Sequence, residues 1–278
     1  MNHLPTRSTK ETSMTTIAIA QFAPTDDKSA NLATVTRLIG DAAAAGADLV
    51  VLPEYSMFTV PTMDERFLHS AESLDGPFVS EIATIAADKS VAIVFGMNES
   101  IDDPSRISNT LLAIGADGTV VAVYRKIHLY DAFGYKESAL VRPGDIDKPA
   151  IFEVEGVSFG MQTCYDLRFP EVTRRIVDQG ADVLLLPAEW VPGPLKEDHW
   201  VTLVRARAIE NTIYVAAADQ IAPAGAGNSL IVDPMGIVVA ALGEEDGVAT
   251  AEISSDRIKR VRAKNPALAL RRFTVTEK

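Results

Sequence analysis

Residues 157–171 read VSFGMQTCYDLRFPE. Val157 to Met161 is an apolar run with one glycine, the composition of a buried strand. Pro170 opens a helical stretch over 170–179. Between the two stands Cys164, the single cysteine of a 278-residue chain. A chain turning from a buried strand toward a helix presents side chains to a cleft at the sheet edge. A thiol placed there can act as a nucleophile if a base and a cation lie beside it. Taken alone, it reads equally well as a small buried hydrophobe.

The same alternation extends in both directions. TTIAIAQF (15–22), DLVVL (48–52) and VAIVFGM (91–97) read as buried strands, separated by helical segments from Asn31 to Ala45 and from Gly76 to Lys89. NTLLAIG and TVVAVYRK flank Ala116-Asp117-Gly118, a hairpin signal. Residues 127–149 form a long irregular stretch, and FEVEG then pairs with VSFGM. Beyond the cysteine come strands over 182–186 and 212–218 with a helix over 197–211 between them. SLIVD and GIVVAAL form a second hairpin around Pro234-Met235-Gly236, before a short strand (248–252), a polar helix and a basic tail. Three strand–helix–strand units and two hairpins hold too many strands for one small sheet. The expected architecture is α/β: two mixed sheets packed face to face with helices outside, over one domain of residues 14–278. Residues 1–13 are polar and read as a loose tail.

Composition narrows the function. The chain is 47% hydrophobic and 23% charged, ordinary for a folded protein. A net charge of −12 argues against nucleic acid and anionic membrane as partners. No apolar run reaches the roughly 18 residues of a membrane span. A lone cysteine forms no internal disulfide, which suits a reducing, cytoplasmic setting.

Glu54, Lys126 and Cys164 each follow an apolar strand run: ADLVVLP, TVVAVYR and VSFGMQT. Residues at strand ends converge on one rim of a sheet though distant in sequence. Pro53 and Tyr55 place Glu54 in a rigid, partly apolar setting, where a carboxylate becomes a better base. Lys126 would favour a thiolate and then an oxyanion. The four histidines show no metal-ligand spacing, and neither a metal nor a cofactor is expected. His128 leaves cysteine–histidine catalysis open, but reads better as a structural imidazole.

The segments GADLVVLPEY, YRKIHLYD, GMQTCYDLRFPE, RARAIEN and GNSLIVDPMG occur in an order and spacing that resembles the nitrilase superfamily of carbon–nitrogen hydrolases. The resemblance runs from about Thr16 to Phe273. It implies a four-layer α-β-β-α sandwich, in agreement with the two-sheet reading. It also implies roles: Glu54 as general base, Cys164 as nucleophile forming a thioester, and Lys126 with the Tyr165 backbone N–H as oxyanion donors. Glu137 matches a second glutamate that positions the lysine or the substrate. A homodimer is implied as well, with the tail near Arg271-Arg272 at the partner.

Tyr165-Asp166 stands where nitrile hydrolysers carry Trp-Glu, so CYDLRFPE resembles the branch of ω-amidases and deaminated-glutathione amidases. These act on small carboxylate-bearing amides. Arg168 is the candidate for holding the carboxylate, unless it pairs with Glu171 or Asp166. The segment AEWVPGPLKEDHW departs from that branch. Glu189 and Trp190 there are expected to line the substrate pocket, with Glu189 repelling a second carboxylate or holding an amine. The remaining alternatives are a nitrilase proper, an N-carbamoyl amino acid hydrolase, and a non-catalytic scaffold of the same fold.

Overall fold

The computed structural model describes residues 14–278; the tail expected over 1–13 lies outside the described residues. The elements run β1 (Met14–Gln21), α1 (Lys28–Ala44), β2 (Leu49–Val51), α2 (Arg66–Ser70), α3 (Pro77–Lys89), β3 (Ala92–Ser100), β4 (Ile107–Ile114) and β5 (Val120–Arg125). They continue with β6 (Ile151–Val154), β7 (Val157–Met161), α4 (Pro170–Asp178), β8 (Val183–Ala188), α5 (Lys196–Asn211) and β9 (Tyr214–Asp219). β10 (Leu230–Val232), β11 (Val238–Ala241), β12 (Gly247–Ser254) and α6 (Ser255–Lys264) complete the order.

The strands form two six-stranded sheets, β12-β1-β2-β3-β4-β5 and β11-β10-β9-β8-β7-β6. The centre of each is parallel and its flanks antiparallel. Alternation explains the stacking. Ile17, Ile19, Leu49 and Val51 point inward against Phe159, Val183 and Leu185 of the other sheet. Ala18, Ala20, Val50 and Leu52 point outward beneath α1 and α3. Leu184 and Leu186 do the same beneath α4 and α5. Every central strand is therefore apolar on both faces, and four layers are the arrangement that covers them.

Four parallel strand pairs occur where the sequence suggested three strand–helix–strand units, because β2 and β8 each serve two crossovers. The strand expected from 212 begins at Tyr214, since Thr212 adopts a left-handed conformation that caps α5. α1 starts earlier than expected, where the Asp27 side chain accepts from the Ser29 and Ala30 amides. Among the described residues no helix is long and apolar enough to cross a membrane.

One glycine shapes the site directly. A Cβ on Gly96 would lie 2.5 Å from the Tyr55 nitrogen and 2.8 Å from the Glu54 Cα. β3 thus passes immediately behind the turn that presents Glu54, and only glycine allows that approach.

Candidate active site

Glu54 lies just past β2, Lys126 directly past β5, Cys164 just past β7 and Glu189 directly past β8. The four side chains line one cavity of about 380 Å³ between the sheets' edges. Glu137 joins them from a short helical turn within 127–149, so that irregular stretch is an ordered wall of the cavity. Three segments distant in sequence thus contribute side chains to one cavity.

Lys126 sits between two carboxylates. Its Nζ donates to Glu54 Oε1 at 2.9 Å and to Glu137 Oε2 at 2.9 Å. Glu54, Lys126 and Glu137 are 1%, 2% and 6% exposed, so each charge depends on its neighbours for the solvation it has lost. Burial works against the ammonium, but Glu137 and Glu54 outweigh it and hold it charged. The Asn109 amide donates to Glu54 Oε1 at 2.6 Å and to Glu137 Oε1 at 3.0 Å. The Glu189 backbone N–H donates to Glu54 Oε2 at 2.7 Å, and the Tyr55 hydroxyl and Tyr130 N–H donate to Glu137. Each carboxylate thereby has several fixed donors and little freedom to rotate.

Cys164 is 7% exposed and has φ +42, a left-handed value that a non-glycine residue rarely adopts. Tyr55, beside Glu54, has φ +53. Two such conformations next to the clustered side chains mark sharp turns that aim them into the cavity. Burial, then the charge on Glu54, push the thiol well above its ordinary pKa, and Lys126 only partly opposes this. Lys126 favours the thiolate as expected, but burial and Glu54 outweigh it, so the resting sulfur is a neutral thiol. Its Sγ faces the Glu189 carbonyl oxygen at 3.5 Å.

The turn after the cysteine is fixed by Asp166, which is fully buried. It accepts from the Thr163 N–H, the Tyr124 hydroxyl and the His128 N–H. His128 Nδ1 lies 2.8 Å from the same carboxylate, and its ring stacks on Phe169 with centroids 3.7 Å apart. His128 is a structural imidazole and does not line the cavity.

A narrow cleft adjoining the cavity is lined by Tyr165, Arg168 and Trp190. Arg168 pairs with neither Glu171 nor Asp166. Its Nε and Nη2 are buried without a hydrogen-bond partner, and its guanidinium lies 4.7 Å from the Trp190 ring centre. Trp190 is buried, donates to the Lys196 carbonyl at 2.7 Å and packs on Trp200. It therefore shapes the cleft behind Arg168 rather than the main cavity. Arg271, expected near a partner, pairs with Asp178 of its own chain.

Sequence reasoning missed Asn109, Asp166 as a tether, and Lys196, which lines the same cleft. Asn109 had a readable signal, as an amide inside the apolar run ISNTLLAI. Such an amide is kept in a strand core only if it is satisfied there.

Glu189 behaves differently from the charge expected of it. Burial, then the Glu54 charge, raise its pKa from 4.5 to about 8, with the Thr59 hydroxyl opposing. It is a neutral hydrogen-bonding group at neutral pH and neither repels a carboxylate nor holds an amine by charge. Between pH 4.5 and about 8 the folded state retains a proton that the unfolded chain has lost. Stability attributable to this group falls as pH rises through that window and levels off above it. The wild-type Tm is expected to decline relative to that of Glu189→Gln between about pH 5 and about pH 9. Parallel Tm curves over that range would show that Glu189 does not titrate there.

The family profile described as carbon-nitrogen hydrolase matches residues 16–263. The chain is 39% identical over 257 residues to the deaminated glutathione amidase of Escherichia coli O157:H7, covering 92% of this chain and 97% of that one. It is 32% identical over 277 residues to omega-amidase NIT2 of Xenopus tropicalis, covering 94% and 98%. Its fold superposes on the crystal structure of the C. elegans NitFhit protein with a TM-score of 0.86 and 29% identity, over 94% of this chain and 66% of that longer one. By the length of the family match and the identity to these relatives, the chain belongs to the carbon–nitrogen hydrolase family, within the nitrilase superfamily.

Proposed function

We propose that the protein is an amidase that cleaves a small carboxylate-bearing amide through a thioester on Cys164 and releases ammonia. One observation carries the reading: a buried ammonium held between two carboxylates in the cavity that also holds the only cysteine. In this reading Cys164 Sγ attacks the amide carbon while its proton passes to Glu54. Because the thiol is neutral at rest, base and nucleophile act together, with no preformed ion pair. Lys126 and the Tyr165 N–H take the oxyanion. Glu54 returns the proton to the amide nitrogen, the C–N bond breaks, and ammonia leaves. Glu54 then deprotonates water, which attacks the thioester and restores the thiol. Glu137 keeps Lys126 in place. Arg168, whose Nε and Nη2 are buried without a hydrogen-bond partner, takes the carboxylate of the substrate with its planar fork.

The amidase names of the relatives support this choice over a nitrilase or a carbamoyl hydrolase. A homodimer of single-domain chains working in the cytoplasm completes the proposal. The test is ammonia release from succinamate and 2-oxoglutaramate, set beside an aliphatic nitrile and an N-carbamoyl amino acid. Turnover of the two monoamides is expected. Silence on both, with turnover of either alternative, would reassign the substrate class.

A further inference from the structure

We infer that Lys196 is a second residue recognising the substrate's carboxylate, so that a guanidinium and an ammonium share one anionic end of the acyl group. The inference rests on the amidase reading above.

Lys196 opens α5, where a positive charge opposes the helix dipole. It follows Leu195, which holds a left-handed φ of +59. Its residue is 7% exposed, and among the described residues it forms no ion pair. Burial, together with the nearby Arg168, works against its charge. A lysine with so many local costs and no counterion has a purpose outside helix stability.

Its immediate partners orient it without neutralising it. Nζ donates to the Tyr130 hydroxyl at 2.6 Å, and that phenol, pushed up to about 12, is not an anion. The ammonium also lies 4.8 Å from the Tyr130 ring centre and 5.1 Å from that of Phe133. The Arg168 guanidinium lies 5.9 Å from the same Phe133 ring. Aromatic faces attract cations but leave their N–H groups available. Arg168 has two buried nitrogens with no acceptor.

Both cations line a narrow cleft that also touches Cys164 and shares walls at Tyr130 and Glu189 with the main cavity. Glu189 is neutral, so it does not cancel them. A carboxylate is an acceptor-only group with about four lone-pair sites. The arginine fork satisfies two, the lysine a third, and the amide carbon is left to reach the sulfur.

The test compares succinamate with isocaproamide, which replaces the carboxylate by an isopropyl group of similar shape. Lys196→Met is expected to lower kcat/KM for succinamate about tenfold or more, chiefly through KM, and to change that for isocaproamide far less. Lys196→Arg should recover part of the loss. Equal losses on both substrates would mean that Lys196 only supports Tyr130, and no loss on succinamate would remove it from the site. Calorimetry on Cys164→Ala protein separates this from the amidase reading, because binding needs no turnover. Adding Lys196→Met there should weaken succinamate binding by a similar factor. If wild type binds but does not hydrolyse succinamate while Lys196 still governs binding, the chemistry is wrong and this assignment stands. If succinamate is hydrolysed and Lys196→Met alters neither turnover nor binding, the assignment falls alone. Absence of both binding and turnover overturns both. Should Lys196→Met fail to fold, Lys196→Gln carries the same comparison.

Discussion

Cys164→Ala is expected to abolish amide hydrolysis, by about 10⁴-fold or more in kcat, while leaving the fold intact. The sulfur is the atom that would form the covalent bond, and the described residues contain no other thiol. Glu54, Lys126 and Glu137 would remain bonded to one another without it, because none of their hydrogen bonds involves Cys164. Alanine bears the same Cβ as cysteine, so the left-handed turn at φ +42 costs about the same in both. The lost contact is one sulfur facing the Glu189 carbonyl. A near-wild-type melting curve should therefore accompany the loss of ammonia release. Cys164→Ser should be nearly as inactive, since a buried hydroxyl is harder still to deprotonate than a raised thiol. If Cys164→Ala keeps even a few per cent of activity on succinamate, water attack without a thioester is the route and the covalent reading is wrong. Slow reaction with iodoacetamide at neutral pH is expected of this buried neutral sulfur in a working enzyme, so slow labelling does not identify a scaffold.

What the sequence made legible, and what it hid, follows from where each signal resides. Glu54, Lys126 and Cys164 each end an apolar run, and in sheets with parallel centres such ends converge. Local pattern therefore carried their placement. The outer and inner faces of β1, β2 and β8 are both apolar, so two stacked sheets between helices could be inferred from composition alone. Asn109 was hidden because its importance depends on pairing. It lies in β4 beside β5, and only that register brings its amide to Glu54 and Glu137 and its carbonyl to the Lys126 N–H. Lys196 was hidden for the opposite reason. As one of several charged residues in KEDHW, it looks like a solvated helix start, and only the neighbouring aromatic rings reveal its burial. The charge states were the least legible. A nearby lysine suggested a thiolate, and a glutamate suggested a charge, but burial decides both Cys164 and Glu189 against ionisation. Burial is a property of the assembled site and leaves little trace in a single segment.

Lys126→Met should damage stability and activity together, and the two effects can be separated. Methionine has a similar volume and fills the same channel, so no large cavity opens. The loss is electrostatic. Glu54 and Glu137 both direct Oε1 toward the Lys126 ammonium and share the Asn109 amide, which brings two buried carboxylates close together. Without the cation they repel. Removing one partner from a buried ion cluster costs about 3–5 kcal/mol, so a drop in Tm is expected at neutral pH. Catalysis should fall by about 10²–10³-fold through the missing oxyanion donor. Adding Glu137→Gln to Lys126→Met removes one of the two stranded charges. The double variant should regain part of the lost Tm and little of the lost activity, a non-additivity expected of groups in direct contact. If Lys126→Met melts like wild type at neutral pH, Lys126 is not the counterion that holds this cluster together. If the double variant regains activity along with stability, Lys126 serves the fold and the oxyanion must find its donors elsewhere.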